Sequence, residues 1–230
     1  MPTTSTETAI LLFAFSPAKE ARNKGFKKAW LLFKKMNERT LAEVKRSGFP
    51  YFHFDETNQE GGSFGERLSN AIQVVFQQGF KNVIAVGNDC PQLKSFHINQ
   101  AAAFLAKGKN TLGPSNDDGL NLLGIKNEAF DKKAFQRLPW KTQDLFFATQ
   151  AYFQRVGHDC ALLETMIDVD SLADIKAIVD SFTMLPQKLL ELFKTVLFKE
   201  NNLWYILPSA HKDIFFPIPL NKGSPRFAIN

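Results

Sequence analysis

VIAVGNDCPQL, residues 83 to 93, decides the fold. An apolar run, Asn82 to Val86, reads as a buried strand and passes straight into Asn88 and Asp89. Pro91 then forbids continuation, because proline has no N–H to give a sheet ladder. A carboxylate at the end of a core strand either caps the turn that follows it or faces a ligand.

Working outward, Phe64 to Gln78 places Leu68, Ile72, Val75 and Phe76 on one helical face, with Gly79 as its stop. Downstream, Ser95 reads as the N-cap of a helix running to Gly108. Ala9 to Phe15 reads as another buried strand, followed by a long basic amphipathic helix from about Lys19 to Arg46. Pro50 resets the chain, YFHF (51–54) alternates as a strand does, and NQEGGS (58–63) is turn-rich. TLGPSNDDGLNLLGI (111–125) reads as strand, loop, strand, and two helical stretches flank Trp140. A short strand around ALLE (161–164) follows, and IDVDSLADI (167–175) ends in a helix with Ser171 and Asp174 as its capping box. Strands alternating with helices predict an α/β chain with a mostly parallel sheet covered on both faces. The ligand crevice of such a sheet lies beyond the carboxyl ends of its strands, where Asn88 and Asp89 fall.

After about Ser181 this rhythm stops. Residues 182–200 read as one amphipathic helix carrying Leu185, Leu189, Leu192, Phe193, Val196 and Leu197, and 214–230, with three prolines and no helical period, as an extended arm. The expected division is therefore a domain at 1–181 and a C-terminal helix and arm at 182–230.

A hydrophobic share of 44% and a charged share of 22% exclude disordered and fibrous classes. Cys90 and Cys160 lie far apart without CxxC spacing, so neither a disulfide framework nor a zinc site is expected, and a reducing cytoplasm is. MPTTSTET lacks the basic region of a signal peptide, and the apolar run at 9–15 is far shorter than the ~20 residues of a membrane span. The net charge of +5 is concentrated: residues 17–46 hold ten basic side chains against three acids. Phe26, Trp30, Phe33 and Val44 fall at helical spacing between them, so most of these charges read as a solvated helix face. No aromatic is left among them for base stacking, so nucleic acid is not an expected partner.

Chemistry concentrates in a few acids. Asp89 suits a hard cation such as Mg²⁺ or Mn²⁺, which takes oxygen ligands and bridges to substrate phosphates; the plainer reading is a turn cap. Asp168 and Asp170 form a D-x-D pair, with Asp170 explained equally by the helix start at Ser171 and Asp168 the better ligand. Asp117, Asp118 and Asn121 lie in a glycine-bounded loop that suits a sugar hydroxyl, a metal or a simple hairpin turn. GGSFGER (61–67) sets glycines and Arg67 near a helix start, a phosphate-friendly arrangement. His53, His97, His158 and His211 are scattered and read as structural, and neither a GxGxxG fingerprint nor a P-loop is present.

The ordered set GGSFGERLSNAIQVVFQQGF, VIAVGNDCPQL, LGPSNDDGLNLLGI, LPWKT and IDVDSLADI resembles the uncharacterised bacterial glycosyltransferase A-like, or nucleotide-diphospho-sugar-transferase-like, family, over about residues 9–180. That resemblance implies a Rossmann-like three-layer α/β/α sandwich of the nucleotide-diphospho-sugar transferase kind. It is also distantly similar to the guanylyltransferases that make molybdenum cofactor dinucleotide and 2-phospho-lactate conjugates. It implies a divalent metal, Mg²⁺ or Mn²⁺, on Asp89, Asp117 and Asp168. It implies a nucleotide against Ala14, Phe15, Ser16, Arg22, Lys24, Gly65, Arg67 and Asn88, and a substrate against Gly113, Pro114, Asp118, Gly119, Asn121 and Trp140. Two stretches depart from the family pattern: SPAKEARNKGF (16–26) lacks the glycine turn after strand one but keeps Arg22 and Lys24, and Asp118, Leu120 and Asn121 replace a glycine and two aromatics. The expectation is a cytoplasmic, metal-dependent glycosyl- or nucleotidyltransferase acting on a nucleotide or nucleotide-sugar, with no catalytic base assigned. The rival expectation is a catalytically degenerate member that binds a partner, or a second copy of itself, through the arm.

Overall fold

The structure is a computed structural model that describes residues 7–26, 29–181 and 185–201. The arm expected at 214–230, His211, Lys27 and Lys28 lie outside the described residues.

Six strands form one sheet in the order β2-β1-β3-β5-β4-β6. They are β1 (Thr8–Phe13), β2 (Tyr51–Phe54), β3 (Asn82–Val86), β4 (Asn110–Pro114), β5 (Leu120–Lys126) and β6 (Cys160–Leu162). β1 runs parallel to β2 and β3, and β4 parallel to β6, whereas β5 is antiparallel to both its neighbours. Five strands therefore point one way and β5 alone is reversed, as the hairpin that joins it to β4 requires.

All residues of β1 and of β3 are buried, because helices cover both faces of the sheet. On one face Ala9, Leu11, Phe13, Val83 and Ala85 pack against Leu68, Ile72 and Val75 of α3 (Phe64–Gln77), and against Phe135 of α5 (Lys132–Gln136) and Phe153 of α6 (Leu145–Arg155). Phe135 is the hub of an aromatic cluster with Phe130, Trp140, Tyr152 and Phe153. On the other face Ile10, Leu12, Ile84 and Val86 meet Ile98, Ala101 and Leu105 of α4 (Ser95–Ala106) and Val44 of α2 (Trp30–Arg46). A third cluster joins Ala21 of α1 (Pro17–Asn23) and Phe33 of α2 to Ile175 of α7 (Leu172–Ser181) and Phe193 of α8 (Gln187–Asn201). No helix among the described residues is long and apolar enough to cross a membrane.

Three local expectations need correction. The helix expected over 19–46 is two, α1 and α2, broken around Gly25, which takes a φ of +74°. Glycine adopts that left-handed conformation at little steric cost. Trp30 does not face the core: it opens α2 and is 54% exposed, while Phe26, Phe33 and Val44 are buried as expected. Ser95 is the first helical residue of α4 and not its cap, because its N–H is taken by the Glu43 carboxylate at 2.9 Å while the preceding Lys94 N–H donates to His97 Nδ1 at 3.0 Å.

Candidate functional site

The carboxyl ends of β1 and β3 lie side by side, Leu12 paired with Val86, and the chain after each turns into a cleft of about 510 Å³. Because β5 runs the other way, its first residues, Leu120 and Asn121, reach the same edge. The chain after β6 completes the site. Met166 N–H donates to the Pro114 carbonyl at 3.1 Å, and Val169 N–H to the Asp89 carbonyl at 3.0 Å, so residues 163–170 cross the strand ends and bring Asp168 and Asp170 to Asp89.

An ammonium group stands at the centre of these acids. Lys24 Nζ lies 2.6 Å from Asp170 Oδ1, 2.8 Å from Asp89 Oδ2, 2.9 Å from the Val169 carbonyl and 3.5 Å from Glu20 Oε1, with its side chain only 10% exposed. Burial would depress the lysine, but Asp89, Asp170 and Glu20 outweigh it and hold the ammonium above its ordinary range. Burial would raise Asp89, and the Lys24 charge outweighs that and keeps the carboxyl below the usual carboxylate range. For Asp168 the balance is reversed: burial, then Asp89, outweigh the Lys24 charge and push its carboxyl well above that range, and its Oδ1 is buried with no hydrogen-bond partner. Glu20 is likewise raised, chiefly by burial.

A buried carboxylate oxygen left without a donor costs free energy, and a hard cation is one ligand that would satisfy it. Among the described residues no group of three His, Cys, Asp or Glu side chains is spaced to hold a metal ion by itself. Asp89 and Asp168 are two acids at this edge that could contribute oxygens to a cation whose shell is otherwise completed by water and substrate phosphate.

The other predicted residues divide. Ala14, Phe15, Lys24, Asn88, Asp117, Gly119, Asn121 and Trp140 line the cleft with Asp89 and Asp168. Phe15 is held by its carbonyl, which accepts from Asn37 Nδ2 at 3.2 Å and from Asn88 Nδ2 at 3.4 Å, and Lys19 Nζ lies 4.4 Å above its ring. Asn121 donates to the Pro114 and Met166 carbonyls at 3.1 and 3.2 Å, leaving its Oδ1 buried and without a partner. Asp117 accepts from the Ser115 hydroxyl and from the Gly119 N–H.

Ser16, Arg22, Gly65, Arg67, Gly113, Pro114 and Asp118 are not among the cleft-lining residues. Ser16 is bound by Glu56 through both its N–H and its hydroxyl, and Arg22 Nε turns back to the Ala18 carbonyl. Gly65 lies under Trp140, where a Cβ would come within 2.4 Å of Cδ1. Arg67 donates to the Gly62 carbonyl and lies over the Phe15 ring, 6.0 Å from its centre. Gly113 and Pro114 belong to β4 beside a register shift, and Asp118 has a φ of 63°, its carbonyl accepting the Phe146 N–H. Sequence reasoning missed Glu20, Gln59, Lys141, Thr142 and Gln143, which also line the cleft. Glu20 carried a signal in its spacing of four from Lys24, and Lys141 and Thr142 fall within the motif LPWKT.

The model of the family described as an uncharacterized protein conserved in bacteria, DUF2064, matches residues 19–142. A crystal structure from Desulfovibrio desulfuricans G20, provisionally described as a nucleotide-diphospho-sugar transferase, aligns with a TM-score of 0.72 at 21% identity, over 84% of this chain and 97% of that one. The fold is thus the three-layer nucleotide-diphospho-sugar transferase architecture. A glycosyltransferase involved in glycosylating the major capsid of PBCV-1 aligns with a TM-score of 0.43 at 13% identity, over 68% of this chain and 81% of that one. Rv0371c of Mycobacterium tuberculosis H37Rv, in complex with manganese, aligns with a TM-score of 0.43 at 11% identity, over 76% of this chain and all of that one. No curated protein matches the chain.

Proposed function

The chain belongs to the DUF2064 family of bacterial proteins, and from that premise we propose that it transfers a glycosyl or nucleotidyl group from a nucleotide or nucleotide-sugar bound in the cleft. The observation that carries this reading is that Asp89 and Asp168, the latter with a buried Oδ1 that has no hydrogen-bond partner, line one open cleft at the carboxyl ends of β1 and β3. Asp89 and Asp168, with Asp117 nearby, would hold Mg²⁺ or Mn²⁺. Such an ion, when bound, supplies charge neutralisation for a diphosphate leaving group.

The chain's own groups divide the remaining work in this reading. Lys24 and Lys19 supply positive charge on the β1 side, where diphosphate oxygens would lie. Phe15 and Trp140, both lining the cleft, offer aromatic surface for a base or a sugar ring. The free Oδ1 of Asn121 is an acceptor for a hydroxyl of the group transferred. Apolar walls from Phe13, Phe64 and Leu123 exclude water and so strengthen each of these interactions. Among the described residues, those lining the cleft lie between Phe13 and Asp170, within the domain expected at 1–181. Two free thiols, one of them buried, support a reducing compartment such as the cytoplasm.

Thermal denaturation with GTP, CTP and UDP-glucose, each with Mn²⁺, tests the proposal, because a ligand bound only to the folded state raises stability by RT ln(1 + [L]/Kd). At a hundredfold excess over Kd the gain is about 2.7 kcal/mol. Asp89→Asn is expected to abolish the Mn²⁺-dependent part of the shift. No shift with any of these ligands at millimolar concentration rejects the reading.

A further inference from the structure

One cation already belongs to this site. Lys24 Nζ has four oxygens within 3.5 Å, from Glu20, Asp89, Val169 and Asp170, and its side chain is almost wholly enclosed. Lys24 directly follows α1, and α1 is anchored through Ala21 in the apolar cluster it shares with α2, α7 and α8, so the ammonium is delivered by the core and not by a free surface chain. Its contact with Asp89 engages the same carboxylate that the proposed function assigns to a divalent ion.

We propose that Lys24 is a tethered counter-ion that competes with the divalent metal for Asp89, so that the protein without a nucleotide resists metal loading. The inference rests on the metal-assisted reading of the cleft. Two cations cannot share one carboxylate in a partly desolvated site without strong repulsion, and the ammonium is the one that is covalently attached. A metal entering alone must either displace Lys24 from Asp89 and Asp170 or settle beside it. A nucleoside diphosphate changes this balance, because its oxygens offer the ammonium a replacement partner. Lysine suits such an exchange, because its charge is compact and its stem has four rotatable carbons, so it can leave one anion for another without moving the backbone. Asp170, 53% exposed on its side chain, is the most open of the three carboxylates around the ammonium.

Equilibrium dialysis of Mn²⁺ alone against the full-length protein tests this, comparing the native chain with Lys24→Met and Lys24→Gln. Gln retains a donor for the Val169 carbonyl and serves if the Met variant is unstable. Removing one opposing charge at this distance is expected to tighten Mn²⁺ binding about tenfold or more. Adding Asp89→Asn to either variant is expected to erase that gain. A second readout is melting temperature: both Lys24 variants should melt lower than the native chain without metal and recover with Mn²⁺, because the ion takes over the missing charge. Equal Mn²⁺ affinity in native and variant proteins overturns the competition while leaving the metal site standing. Absence of Mn²⁺ binding in all of them overturns the metal-assisted reading and the inference with it.

Discussion

Gly65 shows how a residue read for one purpose serves another. In GGSFGER it suggests a backbone that lets a phosphate come close, and the glycine is indeed there for a close approach, but of the Trp140 ring. A Cβ at this position would stand 2.4 Å from Trp140 Cδ1 and 2.9 Å from the Gln136 carbonyl, a main-chain atom that cannot swing away. Gly65→Ala should therefore destabilise the fold by about 1–3 kcal/mol, seen as a lower denaturant midpoint, and should alter the fluorescence of Trp140 on the cleft wall. An unchanged midpoint and spectrum would count against this packing. What approaches a glycine is not written in its neighbours, since Trp140 lies 75 positions away in sequence. Asp89 was more legible, because an acid just past an all-apolar strand has few reasons to be there. Lys24 was legible only through the family resemblance, which keeps it and Arg22 after strand one: charge and spacing within 17–46 do not set it apart from its basic neighbours.

At the scale of elements, apolar spacing located the strands and helices well, as with α3, whose Leu68, Ile72, Val75 and Phe76 are all buried. It failed where a polar group from elsewhere sets the boundary. Glu43 of α2 accepts the Ser95 N–H at 2.9 Å and also binds Arg46, tying α2 to the positive end of α4. Burial would raise this carboxyl, but the Ser95 N–H and the Arg46 guanidinium outweigh it and hold it below the ordinary glutamate range. A carboxyl lowered on folding stabilises the protein above its unfolded pKa and loses that contribution as the pH falls through its folded value. Glu43→Gln is thus expected to cost about 1–2 kcal/mol at neutral pH, the scale of a charged hydrogen bond. Its difference from the native protein should shrink as thermal melts are taken down through the carboxylate range. A difference that does not depend on pH would place the effect elsewhere.

At the scale of the whole molecule, the described residues form three apolar clusters, two on the faces of the sheet and one beyond them where α1, α2, α7 and α8 meet. The third was only half legible. The apolar stripe of 182–200 announces a helix, but nothing in it says that its partner is a helix some 150 residues earlier. Phe193 is fully buried there beside Phe33 and Ile175. Phe193→Ala should lower stability by about 3–5 kcal/mol in denaturant unfolding. A loss much below that would mean that α8 is only loosely seated. Element order could be read because period follows from local geometry, whereas the meeting of Asp89 with Asp168 depends on how the chain returns after β6. Pattern alone does not reveal that return.

The return is secured by main chain. The Val169 amide and the Asp89 carbonyl clasp two segments 80 positions apart, so the backbone beneath both acids is joined by main chain as well as by the Lys24 contact. Exchanging Asp168 for asparagine should therefore change the polar group at that point while the clasp holds the backbone in place, whereas the same exchange at Asp89 also takes a partner from the Lys24 ammonium.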